Sequence, residues 1–167
     1  MNSLVAARRE IPALVEAADP DPLREADALQ EAQLVDSRVC QLTSTAALLF
    51  ELRTSLQFDA GNAALLVVRG LSSFGWEASP IHVPVAALTV VSSLPNRTAD
   101  AFRLRCEVFP DAQLVVAGTR AEFHVLEVEG ISDAPPDYSA LSRERIEREV
   151  PSWSSLCNPI QTSSVSC

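Results

Sequence analysis

The side chains best suited to chemistry in this chain are two histidines, and neither stands at a spacing typical of a metal site. His124 lies two residues from Glu122, so both side chains would share one face of a strand and could hold a common ligand or form an acid–base pair. His82 stands between Pro80 and Pro84 without an evident partner. Because a strand histidine beside a glutamate is more often simply hydrated, the sequence predicts no catalytic residue, no cofactor and no metal.

The other common catalytic motifs are missing from the sequence. All 13 basic residues are arginine, which excludes a Schiff-base lysine and a P-loop lysine and points to a high-GC bacterial source. There is no G-x-S-x-G motif and no glycine-rich phosphate loop. A catalytic triad assembled only in space stays open. So does a small-molecule-binding or enzymatic β-domain, which would need a pocket between sheet and helices with His124 or Arg69 pointing in.

The net charge of −9 narrows the class of partner. Nucleic-acid phosphates and anionic membrane surfaces both attract basic proteins, so neither is expected as a partner. An acidic surface permits a basic protein partner. No apolar run approaches the ~20 residues that span a bilayer.

Aromatic and acidic residues are the best candidates for contacting such a partner. Tryptophan is favoured at interfaces, and the late strand AEFHVLEVEG carries several carboxylates. The predicted partner-binding residues are Phe74, Trp76, Glu122, His124, Glu127, Glu129 and Trp153.

Four cysteines, far apart and without a C-x-x-C pair, favour reduced thiols in a cytoplasmic protein. Cys106 lies at an inward position of an alternating strand and should be a small core residue. Arg8, Arg9 and Glu10 interrupt any signal-peptide core.

Alternating apolar and polar residues predict a β-rich core over residues 34–131. The stretch from Ala46 to Trp76 is the clearest part, with a polar turn at Asp59–Asn62 and a very apolar strand after it. Short connections imply antiparallel pairing. The strands are predicted near residues 35–42, 46–58, 63–71, 84–92, 100–109, 112–118 and 121–130.

The remaining segments are predicted to flank this core in a single domain. Residues 1–33 should be helical, with Asp21 and Pro22 beginning a helix that continues to about Ala32. Residues 132–160 should form a loop and a short helix capped by Ser142, and residues 161–167 a disordered tail. The expected fold is α+β: a twisted antiparallel sheet of six to seven strands, with N-terminal helices on one face and a short C-terminal helix. An all-β sandwich with peripheral helices is second.

The stretch LLFELRTSLQFDAGNAALLVVRGLSSFGW and the later AEFHVLEVEGI resemble segments of small uncharacterised β-rich proteins of high-GC bacteria. More distantly, the layout from Leu29 to Ile131 resembles immunity proteins of polymorphic toxin systems. The resemblance implies a cytoplasmic protein that binds and neutralises a toxin domain, and it carries over no functional residue. A non-enzymatic protein-binding domain is therefore the leading expectation. An assembly or scaffold subunit, including a homodimer formed through an edge strand, is a further alternative.

Overall fold

The computed structural model describes residues 19–167, which form nine antiparallel strands and one short helix. The strands are β1 (Gln33–Cys40), β2 (Thr45–Glu51), β3 (Ala63–Arg69), β4 (Ser73–Ala78), β5 (Thr89–Arg97), β6 (Phe102–Phe109), β7 (Ala112–Gly118), β8 (Arg120–Val128) and β9 (Cys157–Ser166). The helix, α1 (Arg143–Glu149), lies between β8 and β9.

The strands lie in the order β4-β7-β6-β5-β1-β2-β3-β8-β9. Strands β5 and β1 pair through only Gln33 and Thr89, which joins two well-paired halves by a narrow link. Both halves supply side chains to one apolar core, so the sheet folds over on itself around that core. Members of the core from the two halves include Leu48, Phe50, Leu66, Phe123, Phe102, Leu104, Leu114 and Val116.

Strand alternation decides which side chains enter the core. In β6 the inward residues Phe102, Leu104, Cys106 and Val108 are all buried, as the sequence predicts. Strand β3 pairs with β2 and β8 and is apolar on both faces, and Ala64, Leu66 and Val68 on its first face belong to the main core. Its second face belongs to a smaller cluster made by Ala63, Leu126 and Val128 with Leu65 and Ile131.

The predicted α+β fold is wrong: the described chain is a nine-strand antiparallel sheet with one short helix. The expected helix from Pro22 to Ala32 is a series of turns. Asp27 (φ 59°) and Glu31 (φ 68°) adopt left-handed backbone conformations, which an α-helix does not contain. The N-terminal helix expected within residues 3–18 lies outside the described residues.

Two strands were missing from the prediction, and one was too long. No strand is predicted at the position of β4, and β9 (Cys157–Ser166) includes most of residues 161–167, which are predicted to be disordered. Strand β2 ends at Glu51 rather than Phe58, and Leu56 is 88% exposed instead of facing inward. The short C-terminal helix does begin after Ser142, although the Ser142 side chain makes no capping hydrogen bond.

No helix within residues 19–167 is long and apolar enough to cross a membrane.

Candidate functional site: a groove between two strand edges

Two strand edges face each other across a groove. Strand β1 pairs with β2 along most of its length, but on its other side only Gln33 has a strand partner. Strand β4 is the last strand of the sheet and pairs only with β7. The two strands run in opposite directions, with most of their Cα atoms more than 8 Å apart. Main-chain groups along both edges therefore have no strand partner in residues 19–167.

Two cavities follow one another along this gap, which we call the β1–β4 groove. The first, of about 230 Å³, is lined by Leu34, Val35, Asp36, Ser37, Trp76 and Leu88. The second, of about 330 Å³, is lined by Val39, Gln41, Leu71, Ser72, Ser73 and Phe74. The walls of the groove are mostly apolar, and its one charged lining residue is Asp36.

The sheet register explains why two aromatic residues lie in the groove. Phe74 stands opposite Val116 and Trp76 opposite Leu114, and both partners are buried. Phe74 and Trp76 therefore point to the inner face of the sheet, like their partners. Because β4 is the outermost strand, no further strand covers them, and Trp76 stays 40% exposed.

Trp153 lies next to the same part of β1. Its indole Nε1 donates a hydrogen bond to Asp36 Oδ2 (2.5 Å), and the Arg38 guanidinium lies 4.7 Å from the centre of its ring. This distance is within the range of a cation–π interaction. Asp36 thus links Trp153 to the β1–β4 groove, since the same carboxylate side chain lines the groove beside Trp76.

A buried ion pair anchors the segment that carries Trp153. The Arg53 side chain is 4% exposed and contacts Glu51, which is fully buried. Arg53 also donates hydrogen bonds to the carbonyl oxygens of Ser132 (2.7 Å), Ala134 (2.9 Å) and Glu149 (2.6 Å). These bonds connect the loop after β8 and the end of α1 to the residues that follow β2. Glu149, at the end of α1, precedes Trp153 by four residues.

Glu122 and His124 lie on a different surface, the outer face of β8. Glu122 is held between two arginines, with Arg120 at 3.0 Å and Arg69 at 3.7 Å. His124 Nε2 is 3.7 Å from Glu122 Oε2, and its Nδ1 is 2.9 Å from the Thr162 hydroxyl. The histidine–carboxylate distance exceeds a hydrogen bond, so this arrangement is a surface cluster of ion pairs around Glu122 rather than an assembled proton relay.

Glu127 and Glu129 lie at the end of β8, away from both surfaces. Glu127 Oε1 accepts a hydrogen bond from Asn62, and Glu129 Oε1 accepts one from Asn158. The predicted residues therefore divide into three places. Phe74 and Trp76 line the groove, and Trp153 lies on the outer face of β1 next to it, against Asp36 and Arg38.

No sequence pattern predicts the side of the groove that β1 and the connections form. Asp36 and Val39 come from β1, whose pattern is interrupted by an irregularity between Leu34 and Asp36. The extra residue there shifts the alternation. Leu71 and Leu88 lie in connections that carry no periodic signal.

A separate cavity of about 540 Å³ lies beside α1. Val83, Val85, Tyr138, Leu141 and Ile146 supply much of its lining. Burial raises the pKa of Tyr138, and the Glu51 carboxylate adds to the rise. The hydroxyl therefore stays protonated at neutral pH. His124 and Arg69, the polar residues expected to point into such a pocket, do not line this cavity.

No group of three or more histidine, cysteine, aspartate or glutamate side chains within residues 19–167 is placed to hold a metal ion. Comparison with protein-family models, with curated proteins and with solved structures gives no match. The groove is therefore interpreted from its own residues.

Proposed function

We propose that this chain is a non-enzymatic protein-binding domain that holds its partner in the β1–β4 groove. One observation carries the proposal: two aromatic side chains, Phe74 and Trp76, line a groove between the edges of β1 and β4, which have no strand partner there within residues 19–167. Partly exposed tryptophans beside a concave apolar surface are typical of interface anchors.

The resemblance to immunity proteins supports a toxin domain as the partner. The net charge of −9 favours a basic one, because opposite charges speed the encounter of two proteins. An immunity-like protein needs a rigid, partner-shaped surface and no catalytic residue. The groove fits that role, since strands β1 and β4 supply most of its lining residues.

Quantitative capture from the source cells tests the proposal. The tagged full-length chain should retain a stoichiometric protein partner, and Trp76→Ala should reduce its retention at least tenfold. Leu56→Ala is the matched control, because Leu56 is a large exposed apolar residue that does not line the groove. Equal retention by wild type and Trp76→Ala would exclude the groove as the binding site.

The cavity beside α1 supports a second function, the binding of a small apolar molecule. Its volume of about 540 Å³ falls within the range of ligand pockets. Replacing Leu141 by Trp should narrow it and obstruct ligand entry. If small-molecule binding is the function, this variant loses the ligand while partner capture through Trp76 is unchanged.

A further inference from the structure

The two terminal strands of the sheet, β9 and β4, differ in whether side chains hydrogen-bond to the main-chain groups on their outer edges. In β9, Cys167 N–H donates to Thr119 O across the ladder with β8, so Ser164 and Ser166 direct their main-chain groups away from β8. Arg24 Nη2 donates to the carbonyl oxygen of Ser164, and Arg97 Nη2 to that of Ser166, each at 2.8 Å. Side chains thus occupy acceptors that a tenth strand beside β9 would need.

Strand β4 has no such cover. Within the described chain, no side chain hydrogen-bonds to the main chain of Ser73–Ala78. The strand also carries a glycine at its centre, Gly75, where an added Cβ would meet nothing within 4 Å. Neither packing nor a left-handed conformation within the chain requires glycine there. A glycine inside a strand often marks a place where another backbone approaches.

Open space lies beside this edge, because cavities of about 230 and 330 Å³ separate β4 from β1. A strand that pairs with β4 would lie about 4.7–4.9 Å from it. The Leu34 N–H of β1 already donates to the Leu88 carbonyl oxygen (2.8 Å), so the free main-chain groups for an added strand are chiefly those of β4. Alternate side chains of an inserted segment would face the inner residues of both strands.

The charges beside the groove indicate which side chains a bound segment would carry. Asp36 lines the end of the groove that contains Trp76, and Glu77 follows on β4. Among the described residues, neither carboxylate is in an ion pair, whereas Glu122 contacts two arginines. Beyond Glu77 the surface continues past Asp111 and is still acidic. The other end of the groove carries no charged lining residue among residues 19–167: Val39, Leu71 and Phe74 supply apolar surface there, beside the uncharged polar residues Gln41, Ser72 and Ser73.

We infer that the β1–β4 groove accepts an extended segment of a partner protein as an added β-strand. The segment alternates cationic and apolar side chains, the cations lying near Asp36 and Glu77 and the apolar groups against Leu71 and Val39. This inference rests on the proposed function and adds to it the conformation and charge of what is bound. Main-chain hydrogen bonds supply the affinity, and the side chains supply the specificity.

Synthetic peptides test the inference directly. The probe is an eight-residue peptide of alternating arginine and valine, titrated into the full-length chain while tryptophan fluorescence and amide hydrogen exchange are followed. We expect saturable binding with slower exchange in Ser73–Ala78. The matched peptide with glutamate in place of arginine should bind at least tenfold more weakly, and the variant Asp36→Asn/Glu77→Gln should remove that preference.

Backbone methylation separates strand pairing from simple contact. Two further peptides keep every side chain but carry N-methyl groups on the arginines alone or on the valines alone. Strand addition predicts that at least one of them loses binding tenfold or more. Equal binding of all three, equal binding of the glutamate peptide, or no binding at millimolar concentration overturns the inference.

Two other results would also overturn the inference without removing the proposed function. One is concentration-dependent dimerisation through β4 in sedimentation, which would make a second copy the occupant. The other is a partner whose capture depends on Trp76 while the peptides leave β4 exchange unchanged. In that case the groove binds a folded surface and not a strand.

Discussion

The contact between Arg53 and Glu51 shows what one buried charge pair contributes to this fold. Replacing Arg53 by Met leaves the fully buried Glu51 carboxylate without its cation. Removing one partner of a buried pair costs ~3–5 kcal/mol, so we expect the free energy of unfolding in urea to fall by about that amount. The same change should also loosen the loop that positions Trp153.

Arg105→Met is the matched control for this prediction. Its partner Glu107 is exposed, and exposed pairs contribute ~0–1 kcal/mol. The double variant Glu51→Leu/Arg53→Met should recover part of the loss, because no uncompensated charge remains. Equal destabilisation by the Arg53 and Arg105 variants would show that the buried pair is not an anchor.

Cys106 makes stability depend on alkaline pH. Burial raises the pKa of its thiol from 9.0 to about 12, and the neighbouring Glu107 adds to the rise. Above pH 9 the unfolded chain loses this proton while the folded chain keeps it, so stability falls as the pH rises from 9 towards 12. The slope from this group is ~1 kcal/mol per pH unit.

Urea unfolding at pH 8, 9 and 10 measures this slope. Other groups also titrate in this range, so the informative quantity is the difference between wild type and Cys106→Ala. The variant should be less stable at pH 8 because of the cavity it creates, yet lose less stability between pH 9 and 10. Parallel pH profiles would mean that the thiol ionises within the folded protein as easily as outside it.

Two glycines lie in different surroundings: Gly118 is in close contact with another strand, and Gly75 is at an open position of the edge strand β4. Gly118 lies where β7 passes into β8, and an added Cβ would come within 2.6 Å of the Arg69 carbonyl oxygen and 2.7 Å of Val68. Gly118→Ala should therefore cost ~1–3 kcal/mol in thermal unfolding. Gly75→Ala should stabilise the fold by ~0.5–1 kcal/mol, because β4 has open space at that position. A destabilising Gly75→Ala would show that the edge of β4 is tightly packed.

The strands with unbroken alternation could be predicted from the sequence, because one face of each enters the core. Strands β6 and β8 begin within two residues of their predicted positions. The sequence of β9 has no such alternation. From Cys157 to Ser164 nearly every side chain is exposed, so pairing with β8 requires no alternating apolar residues. Strand β4 was missed because its central Gly75 is typical of a turn.

The candidate site could be predicted only in part, for a related reason. Phe74, Trp76 and Trp153 could be chosen as aromatic residues that favour interfaces. The position of Phe74 and Trp76 beside β1 depends on the fold of the whole sheet, which brings β4 back to the edge of β1 although 32 residues separate the two strands. No pattern of neighbouring residues in the sequence predicts that β4 lies beside β1.

At the scale of the whole molecule, the two ends of the sheet are unequal. Arginine side chains bond to the Ser164 and Ser166 carbonyl oxygens at the edge of β9, whereas no side chain of residues 19–167 bonds to the main chain of β4. We expect Arg24→Ala/Arg97→Ala to make the chain self-associate in sedimentation at several concentrations, because it frees main-chain acceptors on an uncharged strand. If this double variant remains as monomeric as the wild type, the arginines do not protect that edge.

Hydrogen exchange measured on the complex shows whether the partner binds in the β1–β4 groove. The full-length chain is compared alone and with the partner that co-purifies from the source cells. We predict that amide exchange slows in Ser73–Ala78 and in Asp36–Cys40, and that the outer face of β8 around Glu122 and His124 is unchanged. Protection confined to the β8 face, with β4 exchanging as in the free chain, would show that the partner does not bind in the groove.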